Sequence, residues 1–155
     1  MTQNTLPKNV LQATDAVEVI SGSRLAHLKV LAAESPLHRS RILLHRSHAD
    51  VVQEMVICIH YDSYIRPHRH PTGKAESYHI IEGELQVNIY NDTGKDRTTF
   101  RLGGTSRNVM YRLAGGIYHQ PLAVSEWAIY HEVYTGPFDK DADVEYAQWA
   151  MAEAA

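Results

Sequence analysis

Between Arg66 and Gly83 the chain reads Arg66-Pro67-His68-Arg69-His70-Pro71-Thr72-Gly73-Lys74-Ala75-Glu76-Ser77-Tyr78-His79-Ile80-Ile81-Glu82-Gly83. His68 and His70 are separated by one residue. Alternate side chains of an extended chain point to the same side, so the two imidazoles can reach one point in space. Glu76 opens the next strand-like run, and a turn through Pro71-Thr72-Gly73 can return its carboxylate to that point. Two imidazoles and a carboxylate suit a divalent transition metal with open coordination positions. Ten histidines in 155 residues agree with metal or acid–base chemistry.

Polar residues expected around such a metal are Arg41, His45, Gln53, Lys74, Tyr78 and Tyr111. Arg41 and His45 are four residues apart, hence on one face of an extended strand. A guanidinium there can hold a carboxylate or phosphate. Arg41, His45, Gln53 and Lys74 are the candidates for holding a ligand; Tyr78, Tyr111 and His45 are the candidates for moving a proton. For each residue alone, a solvated strand face is the competing reading. His79 lies three residues after Glu76, on the opposite face of its strand, which favours a surface or interface role. His60 is near the site in sequence with no defined side. His131 alternates with Trp127, Ile129 and Val133 and reads as a core or pocket-lining residue, and His27 as an exposed one. There is no phosphate-binding loop, no Gly-x-Gly-x-x-Gly, no nucleophile elbow and no Cys-x-x-Cys.

The elements that must position these groups are mostly strands. Ser21-Gly22-Ser23 offers a helix N-cap, and Leu25, Leu28, Leu31 and Ala32 make one apolar face of a helix from Arg24 to Glu34 that Ser35-Pro36 stops. Val17 to Ile20 reads as a short strand, and residues 1–13 as a loose arm. From residue 38 onward strand follows strand: Arg41–His45, Val51–Tyr61, Ser77–Ile81, Leu85–Tyr90, Thr98–Leu102, Val109–Leu113, Ile117–Leu122 and Trp127–Tyr134. Asn91-Asp92-Thr93-Gly94 is a hairpin turn. Short strands at close spacing without alternating helices indicate an all-β sandwich or barrel. Asp141 to Glu153 reads as an acidic helical tail, pinned to the barrel by Tyr146 and Trp149.

The Arg66–Gly83 stretch resembles the first motif of the cupin superfamily, in which two histidines and a glutamate bind metal. Gly116-Ile117-Tyr118-His119 is similar to the second motif, whose histidine supplies a fourth ligand. Arg39-Ser40-Arg41-Ile42-Leu43-Leu44-His45, Arg66 to Pro71, Glu132-Val133-Tyr134-Thr135-Gly136-Pro137-Phe138 and Trp149-Ala150 together resemble the WbuC-like cupin-fold metalloproteins, over residues 21–151. The resemblance implies a double-stranded β-helix or jelly-roll barrel, with His68, His70, Glu76 and His119 as ligands of Fe, Zn, Mn or Ni. It also implies a homodimer, with the segment before Arg41 in the contact. WbuC-like proteins are associated with surface-polysaccharide gene clusters. The activity implied is a metal-dependent, isomerase-type step on a sugar or sugar nucleotide. An iron dioxygenase and a non-catalytic module that senses or binds a small anionic or sugar ligand are the alternatives.

Composition sets the outer bounds. The chain divides into an N-terminal arm (1–20), a barrel with its helix (21–138) and a tail (139–155). Its length suits one core. A net charge of −3 gives no nucleic-acid surface. No apolar run approaches the ~20 residues of a membrane span, and the start lacks the regions of a signal peptide. One cysteine, Cys58, within an apolar run reads as a core residue and fits a reducing, cytoplasmic setting.

Overall fold

The computed structural model of the chain describes residues 6–152; the start of the expected arm and the end of the expected tail lie outside them. Two facing sheets form a jelly-roll barrel. One runs in the order β1 (Val10–Gln12), β2 (Arg39–Leu43), β3 (Val52–His60), β10 (Trp127–Thr135), β5 (Ala75–Glu82) and β8 (Met110–Ala114). The other runs β11 (Glu145–Tyr146), β4 (His68–Arg69), β9 (Tyr118–Ala123), β6 (Glu84–Tyr90) and β7 (Arg97–Gly103). Strand β1 joins β2 in parallel, and the other pairings are antiparallel.

The period-2 alternation of the strands decides what each face carries. Along β3, Ile57 and Ile59 turn inward. They join Tyr78, Tyr130, Ala128, Leu85, Val87 and Leu102 in the core between the sheets. Val56 and Cys58 turn outward and pack with Ile42 and Ile129 under α1 (Gly22–Glu34), whose Leu28 and Ala32 are fully buried there. Ser21 caps α1 by accepting from the Arg24 amide, and Ser35 closes it. Burial pushes the Cys58 thiol up to about 12, so it is an inert core group.

Two expected elements differ. Val17 to Ile20 is loop: the Glu18 carboxylate accepts from the amides of Thr14 and Asp15 and pairs with Arg24, folding the segment into a turn. Val17 and Val19 are exposed there, so no burial holds them in a ladder. The strand lies earlier, within the expected arm, where Asn9 and Gln12 bond to the backbone of β2 and of residue His45. The tail contains one helical turn, α2 (Lys140–Asp143), capped by Asp139. Beyond it the chain turns extended and adds β11 to β4. Trp149 still pins the tail, through its ring against Tyr90 and Tyr118 and its Nε1 bond to the Asp92 carbonyl.

The turn that leads into Glu76 is clamped against the turn that leads into His119. The Gly116 amide donates to the His70 carbonyl at 2.7 Å. A Cβ on Gly115 would lie 1.8 Å from the Pro71 oxygen and 2.4 Å from the Lys74 oxygen, so only glycine permits this approach of two backbones. Gly115→Ala is expected to cost about 2–3 kcal/mol of stability in chemical denaturation. Wild-type stability in that variant would show that the two turns separate freely.

Candidate metal centre

Pairing of β4 with β9 makes His68 and His119 direct cross-strand neighbours on the inner face of the five-stranded sheet. Their rings lie 4.4 Å apart, and His70, just past β4, places its ring 5.4 Å from that of His119. One nitrogen from each of His68, His70 and His119 lies within 4.8 Å of the others, so the group can hold a metal ion. Glu76 comes from the opposite sheet, where β5 sets it beside Tyr134 and Leu113.

The orientation of the three rings follows from their second nitrogens. Nδ1 of His68 lies 3.0 Å from the Arg66 carbonyl, Nδ1 of His70 2.7 Å from the Asp143 carbonyl, and Nδ1 of His119 3.2 Å from the Ile117 carbonyl. A carbonyl only accepts, so each Nδ1 carries the hydrogen and each Nε2 presents its lone pair when the ring is neutral. Burial is the main cause that pulls His68 down to about 3, with the neighbouring His119 acting in the same sense, and so holds it neutral. Nε2 of His119 is buried without a hydrogen bond, although Glu76 Oε1 lies 2.9 Å away. That nitrogen is close to the carboxylate and not aligned with it. A buried, orphaned lone pair beside two further imidazoles and a carboxylate is what a divalent ion satisfies.

Glu76 is buried, with 2% of its surface exposed. Burial opposes its charge, but His119 and His70 outweigh that and lower its pKa. His70 is conversely raised: burial disfavours its charge, and the Glu76 hydrogen bond and charge overcome it. The phenols of Tyr78 and Tyr111 donate to the Glu76 oxygens at 3.3 and 3.2 Å. Burial, and then the Glu76 charge, raise both phenols well above their ordinary values, which keeps them protonated donors.

The other expected residues are placed as follows. Lys74 donates to the Asp143 carboxylate at 2.5 Å and to the Pro137 carbonyl, tying the C-terminal segment down. Gln53 is buried on the inner face of β3, and its amide nitrogen donates to the carbonyls of Ser47 and Asp50. His45 is buried with Nδ1 against the backbone of Glu54, and burial lowers its pKa. Arg41 projects from β2 on the row of Ile57 and Tyr130, which is the inner face. Its guanidinium makes no hydrogen bond among the described residues, and the charges acting on it include Glu132, Tyr130 and Tyr146. His79 and His131 stack on each other at 5.5 Å on the outer face, away from Glu76, and His60 packs on Trp127 and Tyr61.

Sequence reasoning missed Glu132 as a site residue. It alternates with Tyr130 and Tyr134 on β10, and both of those are buried. Its register partner is Tyr78, so it shares the inner face with Glu76. It is half-buried and makes no hydrogen bond or ion pair among the described residues. Burial first and the Glu76 charge second push its pKa up to about 8, while His70 and Arg41 act in the opposite sense. The signal was its spacing of two residues from Tyr130 and from Tyr134: an acid between two inward tyrosines faces inward too.

Residues 20–102 match a family described as Domain of unknown function (DUF6016). No curated protein matches the chain. Among solved structures, protein SO0799 from Shewanella oneidensis is similar at 13% identity and TM-score 0.57, over 68% of this chain and 72% of that one. An oxalate oxidase in complex with the substrate analogue glycolate is similar at 16% and 0.55, over 72% of this chain and 56% of its own. An oxalate decarboxylase from Bacillus subtilis is similar at 18% and 0.51, over 63% and 24%. The chain thus spans just over half of the oxidase and about a quarter of the decarboxylase. At these identities the likeness is one of fold, a cupin-type barrel.

The carbonyl that orients His70 belongs to Asp143, and Lys74 holds Asp143 in place. Lys74→Met is expected to lower metal affinity about tenfold, as loss of a group behind a ligand does. Competition against a chromogenic chelator measures this, and an unchanged affinity would show that the C-terminal segment holds its position without the pair.

Proposed function

Because this chain belongs to the DUF6016 family, a domain of unknown function, we propose its activity from its own residues: it is a metal-dependent enzyme acting on small anionic or sugar-like molecules, with His68, His70, Glu76 and His119 as the metal ligands. The observation that carries this reading is the common orientation of the three imidazoles, each with Nδ1 against a backbone carbonyl and with a ring nitrogen within 4.8 Å of the other two. A bound divalent ion would supply Lewis-acid polarisation of a ligand oxygen. Fe, Zn, Mn and Ni all accept such a donor set.

The protein's own groups supply the rest. Tyr78 and Tyr111 fix the Glu76 carboxylate through their hydroxyl hydrogens. Arg41, on the inner face and unbonded, is the group we assign to the anionic end of the ligand. Glu132 gives the inner wall an ionisable carboxyl that burial and the Glu76 charge push up to about 8, which supports catalysis over a binding module without acid–base groups. Our finer reading is an isomerase-type step on a sugar or sugar nucleotide in surface-polysaccharide metabolism, by a cytoplasmic homodimer. It rests on the WbuC-like residues around Arg41, His70 and Glu132. No helix among the described residues is long and apolar enough to cross a membrane.

Metal analysis of protein purified without added metal, followed by titration with phosphate and citrate, tests the assignment. His70→Ala is expected to lose most of the bound metal. Arg41→Ala is expected to keep the metal and bind the anions about tenfold more weakly, the loss expected for a charge-assisted contact. Full metal content in His70→Ala would overturn the ligand set, and unchanged anion binding in Arg41→Ala would overturn the role of the guanidinium.

A further inference from the structure

Glu132 is a carboxyl on the inner wall of a barrel, level with Tyr78 across the β5–β10 ladder and one inward position from Tyr134, the partner of Glu76. No group of the protein among the described residues bonds to it. Burial raises the cost of its charge, and no hydrogen bond from the described residues offsets that cost. Arg41 acts on it electrostatically, from the same inner face two strands away. The inner face of one sheet therefore carries the Arg41 cation on one strand and the Glu132 acid on another, and the facing sheet carries the His68–His70–His119 group.

A ligand whose only polar groups are anionic would satisfy Arg41, but it would meet Glu132 favourably only when that carboxyl carries its proton. A hydroxyl answers Glu132 in either protonation state, because it donates to a carboxylate and accepts from a carboxylic acid. We propose that Glu132 is a specificity-determining residue that binds a hydroxyl of the ligand, so that the substrate class is hydroxylated carboxylic acids or their phosphate counterparts. The inference rests on the reading of the site as a metal centre with an anion at Arg41. It adds a second recognition point that the reading does not require. The hydroxyl bound to Glu132 need not be the oxygen that meets the metal.

Calorimetric titration of the zinc-loaded protein with propionate, lactate and glycerate tests this, because the three acids differ only in the number of hydroxyls. Wild type is expected to bind glycerate at least about tenfold more tightly than propionate, the scale of one good hydrogen bond to a charged group. In Glu132→Leu the ratio of the two affinities is expected to fall about tenfold, with zinc content unchanged. Glu132→Gln, whose amide also donates and accepts, is expected to retain the ratio within about threefold. Using the ratio removes any general gain in anion affinity that follows from deleting a negative charge. Glu132→Ala replaces the leucine variant if that one does not fold. Equal binding of the three acids by wild type, or an unchanged ratio in the leucine or alanine variant, overturns the inference and leaves the anion reading standing. Loss of zinc in both the Gln and the Leu variant makes Glu132 a support of the metal site and overturns it as well. Failure of all three acids to bind wild type overturns the anion reading itself, and this inference with it.

Discussion

Every feature of the centre depends on three backbone carbonyls. A neutral imidazole offers either nitrogen as the donor, and the choice decides which way its lone pair points. Here the carbonyls of Arg66, Ile117 and Asp143 take the Nδ1 hydrogens. For His68 and His119 the acceptor is the residue two positions earlier, so the strand that carries the ring also orients it. For His70 the acceptor is 73 residues away. The C-terminal segment is therefore part of the site: it extends the sheet through β11 on β4, and the amide of Ala147 closes back on the Pro67 carbonyl. Arg66 reinforces this with two bonds to the Ala147 carbonyl.

A buried carboxylate is the second constraint. Removing Glu76 from water is unfavourable unless its oxygens are met by donors or cations. The barrel meets them from both sheets. Tyr78 and Tyr111 come from its own sheet and His70 from the facing one, with the His119 ring close beside them. Since the tyrosines sit on β5 and β8 in direct register with each other, their spacing is set by the ladder. The side chains that satisfy Glu76 thus also fix its position between the sheets, and a cation-binding point arises where the two sheets' polar groups converge.

How much of this could be read from the residues depends on the range of the interaction. The His68–His70 pair was legible because strand periodicity acts within three residues. The inward positions of Ile57 and Ile59, the outward packing of Cys58 and the cap at Ser21 follow from equally local rules. Val17 to Ile20 has the composition of a strand, yet Glu18 bonds back onto Thr14 and Asp15 and no neighbour is there to bury it. The real edge strand at Val10 draws its stability from β2, about thirty residues on in sequence, which no local pattern announces. Lys74 reads as a cation beside the site, and the Asp143 that engages it is visible only in the fold. Glu132 is the instructive omission: in sequence it is an acid in an alternating strand, where polar residues ordinarily face water. Its neighbours Tyr130 and Tyr134 amount to an inward face only once the opposite wall, with Tyr78, is known.

The charges on the inner wall follow from this distribution. Glu76 holds its negative charge because two imidazoles and two phenols surround it. A second carboxyl on the same wall cannot be equally well supported, since the donors are already engaged, and Glu132 is driven toward its neutral form. Two carboxyls of the same chemistry thus take different roles through their partners alone. Glu76 is suited to a cation, and Glu132 is suited to a neutral polar group. Two cations near the histidines in sequence are engaged elsewhere: Lys74 pairs with Asp143, and Arg69 with Glu145 and Asp92. The cations that act on Glu132 are His70 and Arg41, the latter from the same inner face two strands away. An anionic, hydroxylated ligand would complete that arrangement, because it supplies an anion for the exposed Arg41 and the hydrogen bond that Glu132 lacks.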